Sequence, residues 1–156
     1  MKNVLVVYGC GGHKKQADRL CHKLSITGDK ITFFSITDTG GKPSWSNDHL
    51  ELKEFRNKYT GKTISVFEML SQISKVFSFL KKNKIRNVVS MGPGVCIIVC
   101  LVAKILGCVI IHFETWSKFE SLTFTTKVLK HITKNAFYQN IELKKFLPNG
   151  EYVGRL

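Results

Sequence analysis

The sequence of 156 residues is long enough for one domain with a hydrophobic core, and its 44% hydrophobic residues exclude an intrinsically disordered chain. Lysine and arginine number 24 against 11 acidic residues, and the formal net charge of +13 favours anionic partners such as nucleic acid, phospholipid surfaces or phosphorylated substrates. The five cysteines contain no CxxC pair, which predicts reduced thiols in a cytoplasmic protein.

Strands and helices alternate in the first half of the chain. A strand over residues 3–8 runs into the turn "GCGG", and a helix with one apolar face begins near Lys14. A second strand, "KITFFSIT", is followed by a loop rich in turn residues and by a weak strand near "LELKEF". The periodicity then predicts a long helix over residues 63–82.

The second half contains an apolar stretch, Val95 to Phe113, that is about long enough to cross a bilayer. Lys104 in its middle would cost about 2.5–3.5 kcal/mol on membrane insertion, and Gly107 divides it. It therefore predicts a buried helix followed by a buried strand, "CVIIHFET", with the strand "NVVSMG" before them. A helix "TTKVLKHITK", a short strand "AFYQN" and a last helical turn "ELKKFL" complete the pattern.

This alternation predicts an α/β fold with a Rossmann-like, mostly parallel sheet, helices on both faces, and one domain over residues 1–156. Ligands of such folds bind in the loops that follow the strands. Three unusual loops occupy such positions: "GCGGHKK", "GPG" and "ETWSK". We expect these loops to line one crevice.

The glycine-rich turn predicts a phosphate site, because glycines let backbone N–H groups approach an anion at a helix N-terminus. The dinucleotide pattern GxGxxG fails at Lys14, and the P-loop pattern fails because Arg56 stands where its first glycine belongs. Asp38 follows the second strand, which leaves a nicotinamide-binding Rossmann enzyme as an alternative. A tight turn with a solvated His13 is another alternative.

A nucleic-acid-binding module would also explain the basic charge. The sequence contains no RNP, KH or helix-turn-helix signature, so nucleic acid is not an expected partner.

Four stretches of the chain, in register with one another, share a known pattern. "GCGGHKKQ" matches a Gly-Gly-His loop, and "VVSMGPGVCIIVCLVAKILGCVIIHFET" matches a Ser-Thr-Gly-x-Gly stretch with its helix and strand. "ETWSKFESLTFTTK" matches Glu-Ser-Trp-Ala-Arg-x-x-Ser-Leu-Ser-Leu-Thr-Gly-Lys, and "FYQNIELKKFLPNGEYVG" matches the ending. On these motifs the chain resembles the PssD/CpsF family of bacterial polysaccharide-biosynthesis glycosyltransferase subunits. That family is similar to the membrane-anchoring subunit of the eukaryotic dolichol-diphosphate N-acetylglucosamine transferase.

The chain departs from the family pattern at three positions. Lys118 replaces an arginine, Thr126 replaces a glycine, and Asn140 stands where tryptophan is common. A lysine offers a point charge where arginine would offer a bidentate grip on an anion.

The resemblance implies a half enzyme, equivalent to the N-terminal, acceptor-binding half of a GT-B glycosyltransferase. It implies transfer of a sugar from a UDP-sugar to a lipid-diphosphate-linked saccharide in capsule, exopolysaccharide or O-antigen synthesis. The UDP-sugar is expected on a second subunit, and no cofactor is expected in this chain. The expected location is cytoplasmic, peripheral at the inner face of the cell membrane.

His13 and Glu114 are the candidate catalytic residues. A histidine pKa of about 6.5 suits proton transfer near neutrality, although His13 could instead bind diphosphate. Glu114 could be the base or could order its loop. The other acceptor- or diphosphate-binding candidates are Gly9, Gly11, Gly12, Gly92, Gly94, Lys118, Ser121 and Thr123. The remaining histidines lack ligand spacing, so no metal site is expected.

The long helix suggests a membrane contact. Its predicted core stripe comprises Val66, Leu70, Ile73, Phe77 and Leu80. Two phenylalanines fall outside that stripe, and the basic stretch "KKNKIR" follows. The candidate contacts with anionic lipid are Phe67, Phe79, Lys81 and Lys82. Packing of these phenylalanines against a loop or a partner subunit is the alternative.

Overall fold

The computed structural model describes residues 2–28, 30–38, 40–53 and 64–156. The first half contains β1 (Lys2–Tyr8), α1 (Gly12–Ile26), β2 (Ile31–Thr37), β3 (His49–Glu51) and α2 (Val66–Lys82). The second half contains β4 (Asn87–Ser90), α3 (Val95–Ile105), β5 (Val109–Phe113), α4 (Phe124–Leu129), β6 (Asn135–Tyr138), a 3-10 helix (Ile141–Lys145) and β7 (Glu151–Tyr152).

Within the described ranges, seven strands form one sheet in the order β3-β2-β1-β4-β5-β6-β7, and each neighbouring pair is parallel. Parallel neighbours need crossover connections, which α1, α2, α3 and α4 supply. The predicted fold class, a Rossmann-like parallel sheet with helices on both faces, is confirmed.

The central strand β1 shows why the sequence of a strand in this sheet is a continuous run of apolar residues. Leu5 and Val7 pack into the core beneath α2 and α3, whereas Val4, Val6 and Tyr8 pack into the core beneath α1. Successive side chains of a strand point to opposite faces, so a sheet covered on both faces needs apolar residues at every position.

The apolar stretch from Val95 to Phe113 forms a helix and a strand, as predicted. Gly107, with φ +70°, ends the turn between α3 and β5, and Lys104 is exposed. Nowhere in the described parts of the chain is a helix both long and apolar enough to cross a membrane.

The predicted core stripe of α2 is confirmed at Leu80, which is buried, and at Ile73, which packs against the core, but is wrong at Val66, Leu70 and Phe77, which are exposed. The buried residues of α2 are Gln72, Val76, Phe79 and Leu80, whereas Phe67 is 82% exposed and Phe79 only 8%. The helix has apolar residues on more than one face. The helical period of 3.6 residues was therefore compatible with two different faces turned toward the core. The exposed apolar residues of α2 and of the adjacent α3 are Val66, Phe67, Leu70, Phe77, Leu101 and Ile105, named here the α2–α3 surface.

Two further elements differ from expectation. The fourth helix ends at Leu129 and not near Lys134, because Thr133 turns back and its hydroxyl donates to the Ile110 carbonyl at 2.6 Å. The two-residue strand β7 was not predicted. The predicted start of the long helix near Thr63 and the end of the strand near "LELKEF" lie outside the described residues, although β3 occupies part of that region.

Candidate active site

The three expected loops meet at one edge of the sheet. They follow β1, β4 and β5, which are neighbours in the strand order, and the carboxyl ends of parallel strands share an edge. The loops after β1 and β4 are in direct contact: a Cβ placed on Gly92 would lie 2.6 Å from Cε1 of His13, and one on Gly9 would lie 2.6 Å from Cγ of Pro93. Gly9 and Gly92 therefore permit this close approach.

The other glycines of these loops leave open space above two helix ends. Gly11 is the N-cap of α1 and Gly94 the N-cap of α3, and a Cβ on either would have no neighbour within 4 Å. Gly12 opens α1, with Trp116 Nε1 3.8 Å from its Cβ position. Because both caps are glycines, no capping side chain occupies either helix N-terminus, and an anion can approach the positive ends of both helices.

His13 stands in the first turn of α1, half-buried, with its ring against Gly92. The exposed Lys14 and Lys15 follow it, and the first turn of the helix contains no acidic residue. The structure thus brings His13 together with the glycines of two loops, in an electropositive setting.

Glu114 is 1% exposed and is held by its own loop. Its carboxylate accepts hydrogen bonds from the backbone N–H of Thr115 at 2.7 Å and of Thr123 at 2.8 Å, and from the Thr123 hydroxyl at 3.1 Å. These bonds close the segment 114–123 into a loop. This geometry supports the loop-ordering role for Glu114 over the role of base.

Lys118, Ser121 and Thr123 occupy three different surroundings. Lys118 is exposed, and its backbone carbonyl accepts from Asn140 Nδ2 at 2.5 Å, so the unusual Asn140 helps to hold this loop. Ser121 lines a separate groove beside α4 together with Lys127 and His131. Thr123 caps α4 and bonds Glu114, so its hydroxyl belongs to the frame of the loop.

Sequence reasoning missed His112, which is fully buried directly beneath the crevice. Its Nδ1 lies 3.0 Å from the Ser90 hydroxyl and its Nε2 lies 2.7 Å from the Thr126 hydroxyl. Burial lowers the pKa of His112 to about 4; a hydrogen bond with the backbone of Ser90 opposes this, and the nearby His13 reinforces it. The alternation "IHFE" places His112 on the same side as Glu114, the residue that follows β5, and this signal could have found it.

Asp38, the residue that left the nicotinamide alternative open, is buried after β2. Its Oδ1 would lie 3.2 Å from a Cβ on Gly9, so the carboxylate lies against the first turn. The described residues contain no cluster of three or more His, Cys, Asp or Glu placed to hold a metal ion.

The membrane candidates are divided by the rotation of α2. Phe67 is exposed, as are Lys81 and Lys82, but the expectation for Phe79 is wrong because it packs in the core. Lys81 Nζ lies 4.5 Å from the centre of the Phe77 ring, and Lys82 Nζ lies 3.1 Å from Asp48 Oδ2.

A cavity of about 560 Å³ lies away from the three loops. It is lined by residues between α4 and β6 and between the 3-10 helix and β7, including Lys130, Lys134 and Leu147. Since these residues precede β6 and β7, the cavity lies at the amino edge of the sheet and shares no residue with the crevice.

Comparison with known proteins gives two kinds of similarity. The model of the family "Oligosaccharide biosynthesis protein Alg14 like" matches residues 4–156. The UDP-N-acetylglucosamine transferase subunit ALG14 of Homo sapiens is 25% identical over 99% of this chain and 82% of its own length. The protein of the same name from Rattus norvegicus is 26% identical, over 98% and 82%.

Solved structures share the fold at low identity. MurG of Acinetobacter baumannii superposes with a TM-score of 0.69 and 17% identity, over 91% of this chain and 43% of its own. The UDP-GlcNAc 2-epimerase of Methanocaldococcus jannaschii gives a TM-score of 0.69 and 16% identity, over 98% and 45%. The chain therefore spans less than half the length of these structures.

Proposed function

This chain belongs to the family of Alg14-like oligosaccharide biosynthesis proteins, and on that premise we propose that it is the acceptor-binding subunit of a two-component glycosyltransferase. The human and rat relatives are named as transferase subunits, which supports a partner-dependent role. The whole chain, residues 1–156, serves as one acceptor-binding domain. A second subunit binds the UDP-sugar, and this chain uses no cofactor of its own.

The observation that carries the proposal is the pair of glycine-capped helix N-termini beside His13. The positive ends of the α1 and α3 helix dipoles, neither covered by a capping side chain, and the exposed Lys14, Lys15 and Lys118 form a setting for a diphosphate. We infer that Gly11, Gly12 and Gly94 give the diphosphate access to the backbone. The acceptor is a saccharide linked to a lipid through that diphosphate.

His13 is proposed as the general base. The acceptor hydroxyl loses its proton to the His13 imidazole as its oxygen bonds to the anomeric carbon of the donor sugar. The bond between that carbon and the diphosphate oxygen of UDP breaks. UDP is the leaving group and is held by the second subunit. Glu114 then orders the loop that borders the acceptor.

The finer biological setting rests on the sequence motifs. We propose a place in the bacterial PssD/CpsF branch of the family, in capsule, exopolysaccharide or O-antigen synthesis. The resemblance of "ETWSKFESLTFTTK" to the long motif of that branch supports this assignment.

Attachment to the membrane is proposed through the α2–α3 surface. Helix α2 is the crossover between the parallel strands β3 and β4. Its first turn, with Phe67, therefore lies at the sheet edge where β3 ends, which is the edge that carries the crevice. Exposed apolar side chains flanked by Lys81 and Lys104 suit an anionic lipid surface at the cytoplasmic face. This arrangement would present the crevice to a lipid-linked acceptor.

The test is reconstitution. The chain is purified alone, the partner subunit alone, and the two together, and each is supplied with UDP-sugar and a lipid-diphosphate saccharide. We expect transfer only from the pair. Sustained turnover by this chain without a second subunit would contradict the proposal.

A further inference from the structure

A continuous chain of buried polar side chains runs beneath the crevice, from β4 to the loop after β5. The Ser90 hydroxyl meets His112 Nδ1 at 3.0 Å, and His112 Nε2 meets the Thr126 hydroxyl at 2.7 Å. The Thr126 and Thr123 hydroxyls are 2.9 Å apart, and Thr123 donates to Glu114 at 3.1 Å. This series of hydrogen bonds therefore connects the two loops that flank His13 and the acceptor crevice.

The direction of every hydrogen bond follows from the carboxylate at one end. An ionised carboxylate only accepts, so the single hydroxyl proton of Thr123 is directed to Glu114. Thr123 Oγ1 must then accept from the Thr126 hydroxyl, as it already accepts from the Thr126 backbone N–H. With its own proton used, the Thr126 oxygen can only accept from His112.

The same assignment of donors and acceptors determines the tautomer of the His112 imidazole. His112 Nε2 carries the proton that Thr126 accepts, and a neutral ring then has an unprotonated Nδ1, which accepts from the Ser90 hydroxyl. Burial disfavours the charged form of the ring, and the partners that the described structure gives its two nitrogens are the hydroxyls of Ser90 and Thr126.

The Ser90 end of this series of hydrogen bonds lies next to the loop that contacts His13. Ser90 ends β4 and stands two residues before Gly92, on which the His13 ring rests. Cys96 of α3 donates to the Gly92 carbonyl at 2.6 Å, which ties the same loop to the buried layer. Burying so many polar groups is unfavourable unless each is paired, and apolar residues would fill a purely structural layer more cheaply.

We infer that His112 is a positioning residue of the glycosyl transfer, held as the Nε2–H tautomer by Glu114 and fixing the Gly92 loop against His13. The inference rests on the proposed function for its kinetic part. Its structural part, the tautomer and the coupling to His13, is independent of any reaction.

The first arm of the test reads the imidazoles by ¹⁵N NMR on the full chain, with resonances assigned by single His→Gln variants. We expect His112 to show a protonated Nε2 and a bare Nδ1. In Thr126→Val, which keeps the side-chain shape and removes the hydroxyl, the His112 tautomer ratio and the His13 resonances should both change. Thr125→Val is the matched control, because Thr125 is buried in the same helix outside the hydrogen-bond chain.

The second arm reads kinetics in the two-subunit complex. Thr126→Val should lower kcat about 10-fold or more with little change in the acceptor KM, since misplaced catalytic groups lose rate. His112→Gln, which can still donate to Thr126, should retain more kcat than His112→Leu. Thr125→Val should behave as wild type.

Three results would overturn the inference: an Nδ1–H tautomer in the wild type, His13 resonances unmoved in Thr126→Val, or kcat unmoved in that variant. If the wild-type complex transfers no sugar, the proposed function fails. The NMR arm then decides the inference by itself, as coupling of His112 to His13.

Discussion

Two histidines lie near each other at the carboxyl edge of the sheet, in opposite surroundings. His13 stands in an open crevice between glycine-rich loops, beside exposed lysines and uncapped helix ends. His112 lies in a closed layer below, where two hydroxyls occupy its ring nitrogens. The upper region is suited to bind and to exchange protons, and the lower region to hold geometry.

This contrast shows how one parallel sheet separates two tasks. Loops that follow the strands carry glycines and a half-buried imidazole, which a ligand can reach. The ends of β4 and β5 just below them carry Ser90 and His112, whose hydrogen bonds hold the layer in one geometry. Variants that affect one region and spare the other test the separation.

The largest expected effect is at His13. His13→Ala should lower kcat by about 10²–10⁴-fold with little change in acceptor affinity if the imidazole accepts the proton. Kinetics of the two-subunit complex at saturating acceptor measure this, with His22→Ala as control because His22 is exposed on the same helix. A loss of acceptor affinity with kcat preserved would assign His13 to diphosphate binding instead.

Next come two phenylalanines of α2 that the rotation of the helix separates. Phe79→Ala should lower the free energy of unfolding by about 3 kcal/mol, because it opens a cavity in the core. Phe67→Ala should change it by less than about 0.5 kcal/mol, yet weaken binding to anionic vesicles. Urea unfolding and vesicle flotation measure the two effects.

Salt separates the forces at this surface. Flotation of the wild type should weaken with salt, because attraction of lysines to lipid is screened. The membrane proposal fails if the wild-type chain, alone or with its partner, never floats with anionic vesicles at low salt.

A smaller effect is expected where the loops touch. Gly92→Ala should cost about 1–2 kcal/mol, because Gly92 has φ +83° and its new Cβ would displace the His13 ring. Gly94→Ala is the matched control: with φ −58° and open space around it, its stability should be unchanged or up to about 1 kcal/mol higher. Equal unfolding free energies for both variants would refute the contact between His13 and Gly92.

A gradual effect, spread over more than two pH units, is a pH dependence of stability that comes from His112. Its pKa is about 4 in the folded chain and 6.5 when unfolded, so the unfolded chain binds more protons between these values. Stability should therefore fall as the pH drops from 6.5 to 4, by about 1 kcal/mol per pH unit from this residue. Urea unfolding of wild type and His112→Gln across that range should give a shallower slope for the variant. Identical slopes would mean that the pKa of His112 is the same in the folded and the unfolded chain.

Much of this architecture could be predicted from local pattern. The alternation of apolar runs predicted the parallel sheet, and Lys104 with Gly107 predicted a helix and a strand where a membrane span was possible. The meeting of three loops followed from topology alone, because strand ends share an edge.

The predictions that were wrong or missing concern features that depend on contacts between residues far apart in the sequence. The rotation of α2 was ambiguous because apolar residues lie on two of its faces, and only packing against the sheet selects one. His112 was set aside because its partners stand 22 and 14 residues away, at spacings that carry no motif. Strand β7, with two residues, is too short for any period.

The central claim, that this chain is the acceptor half of a divided enzyme, is tested most directly by ligand binding to the chain alone. Calorimetry compares a short-chain lipid-diphosphate saccharide with a UDP-sugar, each titrated into the isolated chain. The account predicts measurable binding of the lipid-diphosphate saccharide, weakened by salt, and no binding of the UDP-sugar until the second subunit is added. Tight binding of the UDP-sugar to the isolated chain, with none of the lipid-diphosphate saccharide, would contradict it.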